Sequence, residues 1–157
     1  MPLPRVLPLG LALALSGCAV LPGRPAPPAP LPAGATPEMR LLIEDASQDL
    51  GIPAELIHRV VQRESGYNPA ARNGPYYGLM QIMPETARTM GYRGPDAGLL
   101  DAGTNLRWAG AYLRGAWIVA DGDMDEAVSW YARGYYYEAR NRCLLMETGL
   151  RDSEVRC

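Results

Sequence analysis

The stretch Ile57-His58-Arg59-Val60-Val61-Gln62-Arg63-Glu64 decides how this chain is read. Ile57, Val60 and Val61 recur at helical spacing and form one apolar stripe. Glu64 lies seven positions after Ile57 and four after Val60, so it continues the stripe instead of leaving it. A carboxylate aimed at a core is costly to ionise. Its pKa should rise, toward the range a general acid needs near neutral pH. A Glu in the last helical turn that bends out to solvent, or pairs with Arg63 or Arg88, fits the same pattern. His58 is six positions from Glu64, falls on another face and reads as structural.

Working outward, Gly and Pro punctuate a series of helices. Thr36-Pro37 is a cap followed by proline at a first helical position, and Gly51 closes that helix. Pro53 opens a second helix, reaching about Glu64. Pro84 opens a short third, stopped by Gly91. Asp101 starts a fourth, with Leu106, Ala109, Leu113 and Trp117 on one face. Asp123 and Glu126 resemble a capping box for a fifth, ending near Gly134. A sixth is predicted from about Tyr135 to Thr148, with Gly149 after it. Strand alternation is weak, although a short hairpin fits between Asn73 and Ile82. The fold class is mainly α.

Composition divides the 157 residues near residue 37. Ten of fifteen prolines fall in the first forty positions, while all seventeen acidic and all twelve Tyr and Trp residues follow them. The early part therefore cannot join a packed core, and about 120 residues remain for one domain. Net charge is −2, and the fifteen basic residues, all Arg, are spread along the chain. Without a basic run, nucleic acid is excluded as an expected partner. One His and three Cys do not suffice for the usual zinc site.

After Glu64 come two blocks. The first is Glu64-Ser65-Gly66-Tyr67-Asn68-Pro69-Ala70-Ala71-Arg72-Asn73. The second is Gly78-Leu79-Met80-Gln81-Ile82-Met83-Pro84-Glu85-Thr86-Ala87, with Gly91 beyond it. In order and spacing they resemble the catalytic signature of lytic transglycosylases with a soluble-transglycosylase (SLT) domain, the goose-lysozyme-like members of the lysozyme superfamily. Leu100-Asp101 with Asn105, Gly110 and Tyr112-Leu113 resembles that family's next helix, so the likeness spans roughly residues 41–140. The resemblance implies a lysozyme-like multi-helix domain with a cleft. It implies Glu64 as the sole catalytic acid/base, with Ser65 holding the helix end. It implies that Gly78, Leu79, Met80 and Gln81 line a glycan cleft, Gln81 bonding to sugar groups. Physically, Gly78 would let a chain approach the backbone closely, and Met80 would fill an irregular apolar wall; core packing is the other reading for Met80 and Ile82.

A third block, Trp130-Tyr131-Ala132-Arg133-Gly134, matches the family's Ala-Tyr-Asn-Ala-Gly only in part. Tyr131 would bring its hydroxyl near the reacting sugar, or else is a half-buried helix residue. Ala132 replaces the usual Asn, and Asn73 a frequent Ser. Tyr76-Tyr77 stand where small residues are common; they could stack on sugars or cover the hairpin.

Most glycosidases pair two carboxylates. Here Glu85 and Asp101 sit at helix starts, where dipole and capping explain them, and Asp96 lies in a Gly/Pro loop. Asp121-Gly122-Asp123-Met124-Asp125-Glu126 begins like a calcium loop but lacks Gly at its sixth position and has Ala132 at its twelfth. The resemblance implies a one-carboxylate site that needs no metal or organic cofactor. It implies cleavage of the MurNAc-GlcNAc β-1,4 bond of peptidoglycan with a 1,6-anhydro end. A hydrolytic muramidase and a non-catalytic peptidoglycan-binding lipoprotein are the alternatives. Small members of the family also serve envelope-spanning secretion machinery.

Residues 1–17 read as a signal peptide, with Arg5 before the apolar run Val6 to Leu15. Leu15-Ser16-Gly17-Cys18 resembles a bacterial lipobox, which makes Cys18 the expected lipidation site; cleavage near Ala19 is the other reading. Residues 18–37 form a Pro/Ala-rich spacer, and 38–157 the domain. Ala19 after the cysteine implies anchoring at the periplasmic face of a Gram-negative outer membrane. Cys143 and Cys157 would then share an oxidising compartment, as a disulfide or as two free thiols.

Overall fold

The computed structural model describes residues 30–155 and 157. The leader, Cys18 and the first part of the spacer lie outside the described residues.

Among the described residues, six α-helices and one hairpin follow in chain order. They are α1 (Pro37–Leu50), α2 (Ala54–Ser65), β1 (Arg72–Asn73), β2 (Tyr76–Tyr77), α3 (Pro84–Thr89), a 3-10 turn (Asp96–Leu100), α4 (Ala102–Val119), α5 (Met124–Arg133) and α6 (Tyr136–Asn141). The mainly α reading holds, and the strands pair antiparallel with Asn73 opposite Tyr76. The caps act where the sequence places them. The Thr36 hydroxyl accepts the Met39 N–H at 3.2 Å, and Asp101 accepts that of Thr104 at 2.8 Å. The capping box at α5 is only half made. Asp123 accepts the Glu126 N–H at 2.8 Å, but the Glu126 carboxylate turns to Arg133 at 2.7 Å instead of reaching back.

The axis of the domain is α4, which packs against α1, α3, α5 and the 3-10 turn. Leu106, Ala109, Leu113, Ala116 and Val119 form its buried face, while Trp117 is only partly covered. Small residues let neighbours close in. A methyl added at Gly115 would collide with the Tyr135 hydroxyl, which is bonded to the Tyr112 carbonyl at 2.8 Å. Helix α2 lays Leu56, Ile57, Val60 and Val61 into the same core, each contributing about 1.5–3 kcal/mol by leaving water. On its other side, His58 Nδ1 meets the Tyr67 hydroxyl at 2.9 Å.

The sixth helix departs from its predicted length, stopping at Asn141 rather than Thr148. Cys143 takes φ 56°, and the N–H groups of Leu144 and Cys143 fold back onto the carbonyls of Ala139 and Arg140 at 2.8 and 3.3 Å. This is a Schellman closure with cysteine where glycine is usual. The next amides are taken by a distant group: the Glu154 carboxylate accepts from Leu145 at 3.1 Å and Met146 at 2.7 Å. A disulfide between Cys143 and Cys157, with Cα atoms 5.8 Å apart, holds the strap that carries Glu154. The helix ends because tertiary contacts from the C-terminal strap outbid its own ladder.

Candidate active site

The end of α2 presents Glu64 to a cleft of about 280 Å³. Arg63, Ala132 and Tyr131 line one side of it, and Asn73, Tyr76 and Gln81 belong to the hairpin side. Glu64 is the one carboxylate lining this cleft. Its side chain is 24% exposed, between core and solvent, as its place on the stripe requires. Burial raises its pKa above 4.5, and the Arg63 guanidinium, with Nε 3.5 Å from Oε1, opposes that rise in part. Arg63 is half exposed, so water screens the pair and the effect of burial prevails.

Ser65 holds the helix end as expected, while Gly78, Leu79 and Met80, expected to line the cleft, instead build its support. The Ser65 hydroxyl donates to the Leu79 carbonyl at 2.7 Å and to the Val61 carbonyl at 3.3 Å, tying the end of α2 to the hairpin loop. Leu79 and Met80 are wholly buried, so of the alternatives for Met80, core packing is the observed one. Gly78 has φ 75°, and an added methyl would strike the Asn105 amide and the Leu99 carbonyl. The close approach that needs glycine therefore comes from inside the protein, from α4 and the 3-10 turn before it. Gln81 does border the cleft, at φ 50°, with Nε2 held by the carbonyls of Gly78 (2.9 Å) and Ala71 (3.2 Å). Its amide nitrogen is occupied; its oxygen is the group left for a sugar.

Tyr131 is 9% exposed and donates to the Met80 carbonyl at 2.8 Å. Burial first, and then the nearby Glu64 charge, raise its pKa well above 10.0. It stays a neutral donor that fixes the loop under the cleft. The two tyrosines of β2 part company. Tyr76 faces the cleft at 41% exposure. Tyr77 turns inward, its hydroxyl accepting from Arg72 at 2.7 Å.

The residue whose role the sequence did not disclose is Asn105. It is fully buried. Its Oδ1 accepts from Met80 N at 2.9 Å, and its Nδ2 donates to the carbonyls of Tyr77 and Leu99, both at 2.8 Å. One amide thus locks the Gly78–Gln81 loop onto α4. Its sequence signals are its place in the family-like stretch from Leu100 to Leu113 and its polarity on an otherwise apolar helix face, and neither says what the amide bonds to. Five aspartates that the sequence offers are engaged elsewhere. Asp96 pairs with Arg88, Asp125 with Arg59 (2.7 Å) and Asp121 with Arg142 (2.7 Å), while Asp101 and Asp123 cap helices.

Residues 41–142 match the family described as the transglycosylase SLT domain. The chain belongs to the transglycosylase SLT domain family. The match covers well over half of the 157 residues and takes in Glu64, the hairpin loop, Asn105 and Tyr131. No solved structure matches the chain significantly. Membership makes this SLT domain a lysozyme-like enzyme acting on peptidoglycan glycan strands. Ala132, where the family's third block usually has Asn, borders the cleft directly, so the SLT domain has one wall without an amide there.

Proposed function

We propose that the chain is a lytic transglycosylase that cuts the MurNAc-GlcNAc β-1,4 bond and leaves a 1,6-anhydro-MurNAc end. The observation that carries this reading is the single carboxyl group of the cleft, held with a raised pKa. A two-carboxylate hydrolase would need a second acid across the scissile bond, and Asn73, Tyr76 and Gln81 occupy that side.

In the proposed reaction, protonated Glu64 donates to the bridging oxygen. The C1–O bond breaks, and the muramic acetamido oxygen stabilises the positive charge at C1. Glu64, now a carboxylate, takes the proton of the muramic C6 hydroxyl as that oxygen bonds to C1. The proton balance closes on Glu64, and no water is consumed. An internal nucleophile held in place gains much of its advantage from position alone. Gln81, Asn73 and Tyr76 are the side chains proposed to hold the strand.

The test is digestion of purified peptidoglycan with mass analysis of the products. Products lighter by one water than hydrolytic fragments support the reading; reducing MurNAc ends would establish the muramidase. Glu64→Gln is expected to abolish clearing while keeping the wild-type circular dichroism spectrum. Retained clearing in that variant would remove Glu64 from the mechanism.

Export and lipidation at Cys18, with residues 18–37 as spacer at the periplasmic face of an outer membrane, belong to the same proposal. They rest on the Leu15-Ser16-Gly17-Cys18 motif. Metabolic labelling with palmitate, lost in Cys18→Ala, tests the anchor. Service to an envelope-spanning machine is the cellular setting proposed for such a small tethered enzyme.

A further inference from the structure

Arg63 is the one cationic side chain among those lining the Glu64 cleft, and Glu64 is the one anionic. Asn73, Tyr76, Gln81 and Ala132 carry no charge. Tyr131, on α5, stays neutral because its own burial and then the Glu64 charge hold its proton. Within the cleft the acid therefore feels one fixed charge, and it belongs to the preceding residue of its own helix.

Helix geometry does not supply that contact. Consecutive helical residues point about 100° apart and do not face each other. Arg63 Nε nevertheless lies 3.5 Å from Glu64 Oε1, so the arginine stem leans across the end of α2 toward the cleft. The neighbouring arginines answer to other acids. Arg59, one turn earlier, meets Glu55 at 3.3 Å and Asp125 at 2.7 Å, and Arg133 on α5 meets Glu126 at 2.7 Å. Among the described residues, Glu64 is the only carboxylate in ion-pair contact with Arg63. Arg63 is half exposed and keeps much of its own hydration, while Glu64 is the more sheltered of the two.

A cycle with a single carboxyl group makes opposite demands on Glu64. It must hold a proton when the strand arrives, give it to the bridging oxygen, and stand as an anion until the C6 hydroxyl returns one. Partial burial favours the protonated form and makes that anion costly. A guanidinium at the rim lowers the cost of the anion, which strengthens Glu64 as an acid at the moment of donation. The same attraction ionises the free enzyme at lower pH, and an ionised Glu64 cannot donate. Solvent screening of the half-exposed partner keeps both effects small.

We propose that Arg63 acts through Glu64 as a tuning residue, stabilising the carboxylate left by proton donation and thereby setting the upper pH limit of the reaction. The inference rests on the acid/base role given to Glu64 above and adds to it a residue that works without a sugar contact.

The test is the pH profile of kcat/KM for the full chain on soluble glycan strands, whose alkaline limb reports the acid of the free enzyme. In Arg63→Gln that limb should move to higher pH by roughly 0.2–0.7 pH unit, the size expected of a screened pair. The two profiles should cross. The variant should be slower on the acid side, where Glu64 is protonated in both, and faster beyond the wild-type limb, each by less than about fivefold. Arg63→Lys keeps the charge and should return the limb most of the way to its wild-type position. A limb that does not move in the Gln variant overturns the proposal. So does a loss equal at every pH, which a lost sugar contact would give, or a limb displaced as far by Lys as by Gln. A second arm needs no turnover. The Glu64 carboxyl is titrated by carbon NMR in the labelled protein, with Glu64→Gln identifying its signal. A higher midpoint in Arg63→Gln than in wild type supports the tuning role, even where the products carry reducing ends and the transglycosylase reading has failed. An unchanged midpoint overturns the tuning role alone.

Discussion

Replacing Asn105 by Ala should cripple the fold around the active site, and the size of the effect follows from its bonds. The side chain makes three hydrogen bonds in a fully buried position. The Tyr77 carbonyl keeps a second donor, Ile82 N at 3.1 Å, so its loss is tolerable. Met80 N–H and the Leu99 carbonyl are left without the partner that Asn105 supplied. Two buried orphans at about 1–3 kcal/mol each give a loss of about 2–6 kcal/mol. A domain of this size has a total stability of about 5–15 kcal/mol, and about 4 °C of melting temperature goes with each kcal/mol. A fall of about 8–24 °C is therefore expected. The assay is thermal and urea unfolding of the oxidised protein, with Arg107→Ala as an exposed control on the same helix, expected within about 0.5 kcal/mol of wild type.

Asn105→Asp sharpens the test. It keeps an acceptor for Met80 N–H but turns a buried charge toward two carbonyls. Its carboxyl pKa must rise in the folded state, so the deficit against wild type should shrink as pH falls from that raised value toward the ordinary Asp range, and stay constant below it. A loss under about 1 kcal/mol for the Ala variant, or an Asp variant equal to wild type at pH 7, would refute the view that this amide holds the loop.

Glu64 is raised by burial, so its ionised form is costlier folded than unfolded. Stability attached to its protonated form is present below the unfolded pKa and lost as pH rises through the folded value. Glu64→Gln should therefore melt slightly above wild type at pH 7, by under about 1 kcal/mol after screening, with the gain vanishing below pH 4.5. Calorimetry across that range checks the sign. Tyr131→Phe leaves the buried Met80 carbonyl without its donor. It should cost about 1–3 kcal/mol in urea unfolding and lower kcat by loosening the loop beside Glu64. Reducing or deleting the Cys143–Cys157 bond opens a loop of 14 residues' separation. It should cost roughly 3 kcal/mol in the chain-entropy model, read as a lower urea midpoint.

Helix starts were legible because they are local. Thr36, Asp101 and Asp123 cap the helices they precede, and Gly51 and Gly66 take positive φ at helix ends. Glu64 was legible because periodicity alone puts it between core and solvent. The end of α6 was not, since Glu154 and Cys157 stop it from eight to fourteen residues away. Nor was the inward turn of Leu79 and Met80. A motif says which residues travel together, not which of them face the ligand.

The sequence by itself determined the helical class, the place of Glu64 at the end of an apolar stripe and the family to which these blocks belong. Each of those depends on spacing along one chain: a stripe, a cap, two motifs in order. The tertiary structure alone decided why Gly78 must be glycine, what Ser65 and Tyr131 bond to, and that Asn105 fastens the loop. Those facts depend on which distant backbone groups meet, and long-range packing against α4 and the C-terminal strap sets those meetings.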